Sequence, residues 1–188
     1  MRKPFAIALS LALLLCLAAC GSPPTAQVHT FTDIIGVWFT EELPEDSLCA
    51  DPDTLRVGRT WDGKDIFTLL RVQLDGALRA GDVREAWLRL KILENNGGSA
   101  LRAGPITGAW EEGVTRGRAR VLADIPKPLR QALAADDWLL IDVTDFVKDW
   151  LGGQGNHGLA LFEANDSTET VFAATGENEP RLELLIAR

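Results

Sequence analysis

The chain has 188 residues, of which 46% are hydrophobic, 24% charged and 7% aromatic, a globular composition on the scale of one domain. Its 27 acidic and 19 basic side chains leave a net charge of −8, and no basic patch runs along it, so nucleic-acid binding driven by counterion release is excluded. Two histidines, three cysteines, one methionine and no tyrosine are a thin supply of catalytic and metal-ligating groups. Only carboxylates are plentiful, and the composition leans away from an enzyme.

Residues 1–19 combine a basic start at Arg2-Lys3, an apolar run over residues 5–17 and small residues ahead of Cys20, the layout of a secretory signal too short to span a bilayer. The tetrad Leu17-Ala18-Ala19-Cys20 resembles the bacterial lipobox, in which the cysteine becomes the lipid-modified first residue. That resemblance implies an anchor at Cys20 in the lipid bilayer. With Gly21 rather than Asp behind it, the expected place is the cell envelope, at the outer membrane or the outer face of the plasma membrane. Removing residues 1–19, whose only charged side chains are Arg2 and Lys3, takes the charge from −8 to −10 over the remaining 169 residues. Residues 20–27 are small, polar and Pro-rich and read as a tether, with the folded domain over residues 28–188. Cys49 is then the one thiol of the mature chain, read as a small hydrophobe rather than a reactive group.

From residue 54 onward, short alternating segments are separated by turn residues, which is the habit of antiparallel sheets. Residues 54–58 put Leu55 and Val57 on one face, and Trp61 to Lys64 form a turn leading into a strand over residues 66–74. In that strand Leu70, Val72 and Leu74 oppose Arg71 and Gln73. Residues 86–92 alternate without a fault, with Ala86, Leu88, Leu90 and Ile92 inward and Trp87, Arg89 and Lys91 outward. A turn at residues 95–99 precedes a strand over 101–106, to which Pro105 assigns an edge position. Leu129 and Leu133 stand at helical spacing within residues 126–137, predicting a short surface helix. A strand over 139–143 leads through Thr144-Asp145 into a second helix over 146–151, stopped at Gly152-Gly153, with Phe146, Val147, Trp150 and Leu151 as its buried stripe. Strands over 158–163, 169–174 and 181–186 complete an all-β, jelly-roll β-sandwich of about nine antiparallel strands with one or two short helices.

Four stretches carry a resemblance to a known family. Thr54-Leu55-Arg56-Val57-Gly58-Arg59 with residues 68–74, Ala86-Trp87-Leu88-Arg89-Leu90, and Trp110-Glu111-Glu112-Gly113-Val114-Thr115 are the first three. The fourth and longest runs from Ile141-Asp142-Val143-Thr144 through Trp150, then Asn156-His157-Gly158-Leu159-Ala160-Leu161, to Pro180-Arg181-Leu182. In order and spacing they resemble the DNRLRE domain family over about residues 37–187. The resemblance implies a jelly roll akin to carbohydrate-binding modules, some of which hold acidic polysaccharides. The sequence departs from the family pattern around Ser47-Leu48-Cys49, at Arg116 and at Ala174.

Sugars bind to aromatic faces assisted by a few polar groups. Trp110 and Trp150 are flanked by apolar residues and are expected in the core, whereas Trp87 and Trp61 are the exposed candidates; Trp38 and Trp138 stay open. An acidic glycan calls for cations, so the candidate ligand-binding set is Trp87, Arg71, Arg89, Lys91 and Trp61. His157 is read as an exposed turn residue, and His29 has no evident partner. Glu111 and Glu112, adjacent on a strand, face opposite ways and make no catalytic dyad. No nucleophile elbow, Walker loop or zinc spacing occurs. Asp51, Asp53, Asn165 and Asp166 are loop oxygens of the kind a structural Ca²⁺ takes, although spacing does not fix their convergence; no other cofactor is implied. The expected function is a non-catalytic cell-surface lipoprotein module that binds polysaccharide. The alternative is a structural or protein-interaction envelope lipoprotein without a sugar site, and a polysaccharide-degrading enzyme ranks third.

Overall fold

A computed structural model describes residues 26–49, 51–95, 100–124, 126–164 and 169–187. They form an antiparallel β-sandwich, with twelve strands where about nine are expected. The expected signal segment and Cys20 lie outside the described residues, as does most of the expected tether. The first strand, β1 (Ala26–Phe31), starts two residues ahead of the expected domain boundary.

One sheet is built around the long strand β5 (Val83–Asn95). Its first half pairs with β12 (Arg181–Ala187), which carries β1 on its far side. Its middle pairs with β9 (Trp138–Asp142), which carries β8 (Gln131–Leu133). Its end pairs with β11 (Thr170–Ala173), and β11 pairs with β3 (Thr54–Arg59). The second sheet centres on β4 (Asp65–Val72), between β2 (Ile34–Thr40) and β10 (Leu159–Glu163). It continues through β6 (Leu101–Pro105) to the two-residue strand β7 (Lys127–Pro128). Pro105 extends beyond the two residue pairs that join β6 to β7, close to the expected edge.

Strand β3 links the sheets. Only Gly58 and Arg59 pair with β4; its earlier residues turn away to β11. Where the two strands part, the buried Thr68 side chain donates to the Arg56 carbonyl (2.7 Å) and accepts from the Arg56 N–H (3.2 Å). A polar residue amid an apolar run is thus fully satisfied.

The alternating residues meet between the sheets. Leu55 and Val57, Leu70 and Val72, the inward side of β5 from Ala86 to Ile92, and Leu182, Leu184 and Ile186 form one core, with Phe172 fully buried among them. A second core lies on the other side of β4 and β10. Phe67, Leu69, Ala160 and Phe162 are roofed there by Trp110, Val114 and the seven-residue helix α1 (Arg116–Leu122) through Ala119 and Leu122. Phe67 is its centre, with ring centroids 5.8 Å from Phe39 and 5.6 Å from Phe162. Because β4 and β10 are buried on both faces, they read as continuous apolar runs rather than as alternations.

Helix α2 (Thr144–Leu151) matches the expected helix, with Thr144 inside it rather than capping it. Val143 is the N-cap, and the Asp142 carboxylate ahead of it accepts from the Thr144 N–H (3.1 Å) and hydroxyl (2.6 Å) at the start of the helix. Residues 126–137 do not form the expected helix. They hold β7, β8 and a single 3₁₀ turn at Ala135–Asp137. Pro126 and Pro128 oppose helical hydrogen bonding there, and the leucines share no buried face: Leu129 packs on the main core, whereas Leu133 is exposed. The helix lies instead at α1, whose early Gly117 and short length leave no readable period.

Candidate functional site

The outward residues of β5 sit on the open face of the first sheet. Register places Trp87 between Asp142 of β9 and Glu183 of β12, Arg89 between Leu140 and Arg181, and Lys91 beside Trp138. The Trp138 ring lies between two guanidiniums, Arg89 at 5.2 Å and Arg181 at 5.3 Å from its centroid. Arg130 covers the Trp87 ring at 4.7 Å. Carboxylates hold two of these cations in place: Arg89 donates to Glu183 (2.7 Å), and Arg130 reaches one oxygen of Asp142 through both Nη2 (2.8 Å) and Nε (2.9 Å). Trp87 Nε1 donates to Glu85 (3.0 Å), and the Lys91 ammonium to the Asp136 carbonyl. Burial pushes the Asp142 carboxyl up, but the two Thr144 hydrogen bonds and Arg130 outweigh it and hold the group below the ordinary aspartate value.

The face is therefore a sheet of two half-exposed indoles set among four cations, with the carboxylates of Glu85, Asp142 and Glu183 as partners of Trp87, Arg130 and Arg89. Trp87, Arg89 and Lys91 are brought together as their alternation requires. Trp138, Arg130 and Arg181 join them, and sequence reasoning missed these three as site residues. The alternation of β9 and β12 held the signal for Trp138 and Arg181, but which strands flank β5 is a matter of topology.

Arg71 is not on this face. It points outward from β4, on the other side of the sandwich, where it donates to the Trp110 carbonyl (2.6 Å) and lies 5.4 Å from the Trp110 ring centroid. Trp61 is also apart, at the tip of the β3–β4 hairpin and 95% exposed. A small cavity of about 140 Å³ at the base of that hairpin is lined by Arg59, Arg102 and Arg120 together with Asp65 and Glu163.

Trp110 is buried, as expected, and its Nε1 donates to the His157 carbonyl (2.7 Å). Trp150 is only half-buried: it packs on the rim of the main core and lines a cleft of about 550 Å³ at the α2 end of the sandwich. His157 lines the same cleft and is half-buried rather than exposed, because the turn folds its ring back over Gly155. Trp38 is in the fold's interior, with Nε1 donating to the Asp51 carbonyl (3.1 Å) and Arg56 over its ring at 4.8 Å. Glu111 and Glu112 lie on an exposed loop before α1 rather than on a strand, since the chain turns there to close the Trp110 roof.

The Asp51 carboxylate is occupied within its own loop, accepting from Thr54 Oγ1 (2.8 Å) and the Asp53 N–H (3.0 Å) with Arg56 at 3.9 Å. The Thr54 and Asp53 hydrogen bonds lower its pKa. Asn165 and Asp166 lie outside the described residues. Among the described residues, no three His, Cys, Asp or Glu side chains gather as a metal site. Half-buried Cys49 packs on the second core, its sulfur accepting from the Trp38 N–H at 3.5 Å. No helix among the described residues is long and apolar enough to cross a membrane. No protein-family model matches the chain, and no curated protein matches it in sequence.

Proposed function

We propose that this protein is a lipid-anchored, non-catalytic module of the DNRLRE kind, holding polysaccharide on the open face of the first sheet. The observation that carries the reading is the grouping of Trp87 and Trp138 with Arg89, Arg130, Arg181 and Lys91 on one solvent-facing surface. Indole faces stack on pyranose rings, and guanidiniums pair with uronate carboxylates, so the surface suits an acidic glycan. Cys20 supplies the bilayer anchor.

The test is affinity electrophoresis of the full chain in detergent through gels containing acidic or neutral polysaccharide. Trp87→Ala is expected to weaken retention by about tenfold, equivalent to about 1.4 kcal/mol. Absence of retention by every glycan removes the reading. A second reading, an envelope lipoprotein whose face meets another protein, is favoured by one feature: Arg89 and Arg130 are already paired with Glu183 and Asp142. Cross-linking in cells from this face to one defined protein neighbour, together with no glycan retention, supports it. Lipidation is checked separately, by acyl mass on the N-terminal peptide and release into the medium by Cys20→Ser.

A further inference from the structure

A cleft of about 550 Å³ lies between α2, the end of β6 and the β7 segment, and none of its lining residues belongs to the β5 face. That volume is within the range of small-ligand sites. One wall is aromatic. Phe146 and Trp150 stand one turn apart on α2, ring centroids 6.3 Å apart and tilted by 40°, and both are half-buried, so each leaves ring surface to the cleft. The charged lining is weighted to one sign, with carboxylates from Asp124, Asp145 and Asp149 against the Lys127 ammonium, beside the His157 imidazole.

This charge balance is opposite to that of the β5 face. It repels uronates and phosphates, while the negative faces of the rings attract cations and the carboxylates accept from ammonium and hydroxyl groups. The cleft does not end at α2. A neighbouring cavity of about 220 Å³ shares Pro128, Leu129, Asp145 and Phe146 with it and continues to Arg130, giving an elongated groove suited to consecutive rings rather than one small molecule.

We infer that this groove is a second glycan site, taking an aminated sugar chain of the glucosamine type, with a pyranose face on Trp150 and Phe146 and its ammonium groups at Asp145 and Asp149. None of the β5-face residues lines the main cleft; the neighbouring cavity reaches the Arg130–Asp142 pair at the border of that face, so the inference rests on the Trp150, Phe146, Asp145 and Asp149 part of the groove and not on the reading of the β5 face.

The test is calorimetric titration of the full chain in detergent, at mildly acidic pH, with a glucosamine tetramer, its fully N-acetylated form, a glucuronate oligomer and a tetralysine. Expected are binding of the glucosamine tetramer that weakens as salt rises, at least about tenfold weaker binding of the acetylated tetramer, and no heat from the glucuronate oligomer in a Trp87→Ala protein beyond any residual signal that Asp145→Asn and Asp149→Asn leave unchanged. Asp145→Asn and Asp149→Asn, both at exposed helix positions, are expected to weaken the glucosamine tetramer several-fold each without a shift in thermal midpoint, and Trp87→Ala to leave it unchanged. Absence of glucosamine binding at millimolar concentration overturns the inference. So does equal affinity for the acetylated form, insensitivity to both aspartate changes, or tetralysine binding as tightly, which would mean that charge alone is read and ring stacking is not.

Discussion

Gly158 immediately precedes β10, and Gly158→Ala is expected to be among the most damaging small substitutions in the molecule. Its backbone is left-handed, at φ +92°, and a Cβ there would sit 2.0 Å from the Leu70 carbonyl oxygen and 3.0 Å from Arg71 Cα. The conformation alone costs a residue with a Cβ about 1–2 kcal/mol. The clash adds more, because β4 is fixed between β2 and β10 and buried on both faces, so it has nowhere to retreat. If the turn moves instead, it strains the Asn156 Nδ2 bond to the Val72 carbonyl (2.6 Å) and the Trp110 bond to the His157 carbonyl (2.7 Å). A buried group left unpaired costs about 1–3 kcal/mol. The sum is about 2–5 kcal/mol, a large part of the total stability of a domain. Gly155→Ala is the internal control: φ is +56°, and the nearest atoms to the new Cβ are those of the His157 ring, at 3.2 Å, a side chain that can turn away. Its expected cost is about 1 kcal/mol. Urea midpoints by tryptophan fluorescence measure both, with an unchanged slope confirming a common unfolded state. A Gly158→Ala protein within about 1 kcal/mol of wild type, or no less stable than Gly155→Ala, would refute the reasoning.

Phe67→Ala removes the ring at the centre of the Phe39–Phe67–Phe162 cluster and is expected to lower stability by about 3–5 kcal/mol in the same assay; a loss under about 1 kcal/mol would mean that the second core is not close-packed. Trp61→Ala, at a fully exposed hairpin tip, is expected to shift stability by no more than about 0.5 kcal/mol, and a larger loss would mean that the ring packs against the body. Asp142 has a folded-state pKa below its unfolded value, so its ionised form stabilises the fold above the unfolded aspartate range, and that contribution fades as pH falls through the lowered value. The stability gap between wild type and Asp142→Asn is therefore expected to be widest near neutrality and to close below about pH 4. A gap that stays flat or widens on acidification contradicts the assignment of Thr144 and Arg130 as its partners.

The strands were legible wherever one face is buried and the other wet. In β5 and β12 the period of two assigns every residue to its side correctly, from Ala86 to Ile92 and from Leu182 to Ile186. Turn chemistry located the β3–β4 hairpin and the end of α2. Legibility failed where local pattern and tertiary context disagree. Leu129 and Leu133 have helical spacing, but prolines and the pairing of β8 with β9 override it. Trp150 has apolar neighbours in sequence, yet α2 lies at the end of the sandwich, where the core stops and a groove begins. The Asn156-His157-Gly158 turn could be recognised as a motif. Its reason is the carbonyl of Val72 that Asn156 ties down and the close approach to Leu70, both contributed by a strand more than eighty residues away.

The same limit explains why the expected basic stripe divides in two. Alternation says that Arg71 and Arg89 each point away from a core, but not that the two strands belong to different sheets, nor whether a second layer covers either face. Here it covers one. Trp110, Val114 and α1 close over β4 and β10, and Arg71 is spent holding that roof through the Trp110 carbonyl. On the β5 side nothing comparable to α1 packs over Trp87 and Trp138 among the described residues, and each ring has guanidiniums as its neighbours. The cation–π contact of a guanidinium on a half-exposed indole contributes about 0.5–1 kcal/mol, which a stacking sugar can match, and a uronate carboxylate can take the place of Glu183 or Asp142 as the partner of Arg89 or Arg130. The outer surface of the first sheet is thus open to exchange in a way that the roofed sheet is not, and polysaccharide retention is expected to respond to Trp87→Ala and not to Arg71→Lys.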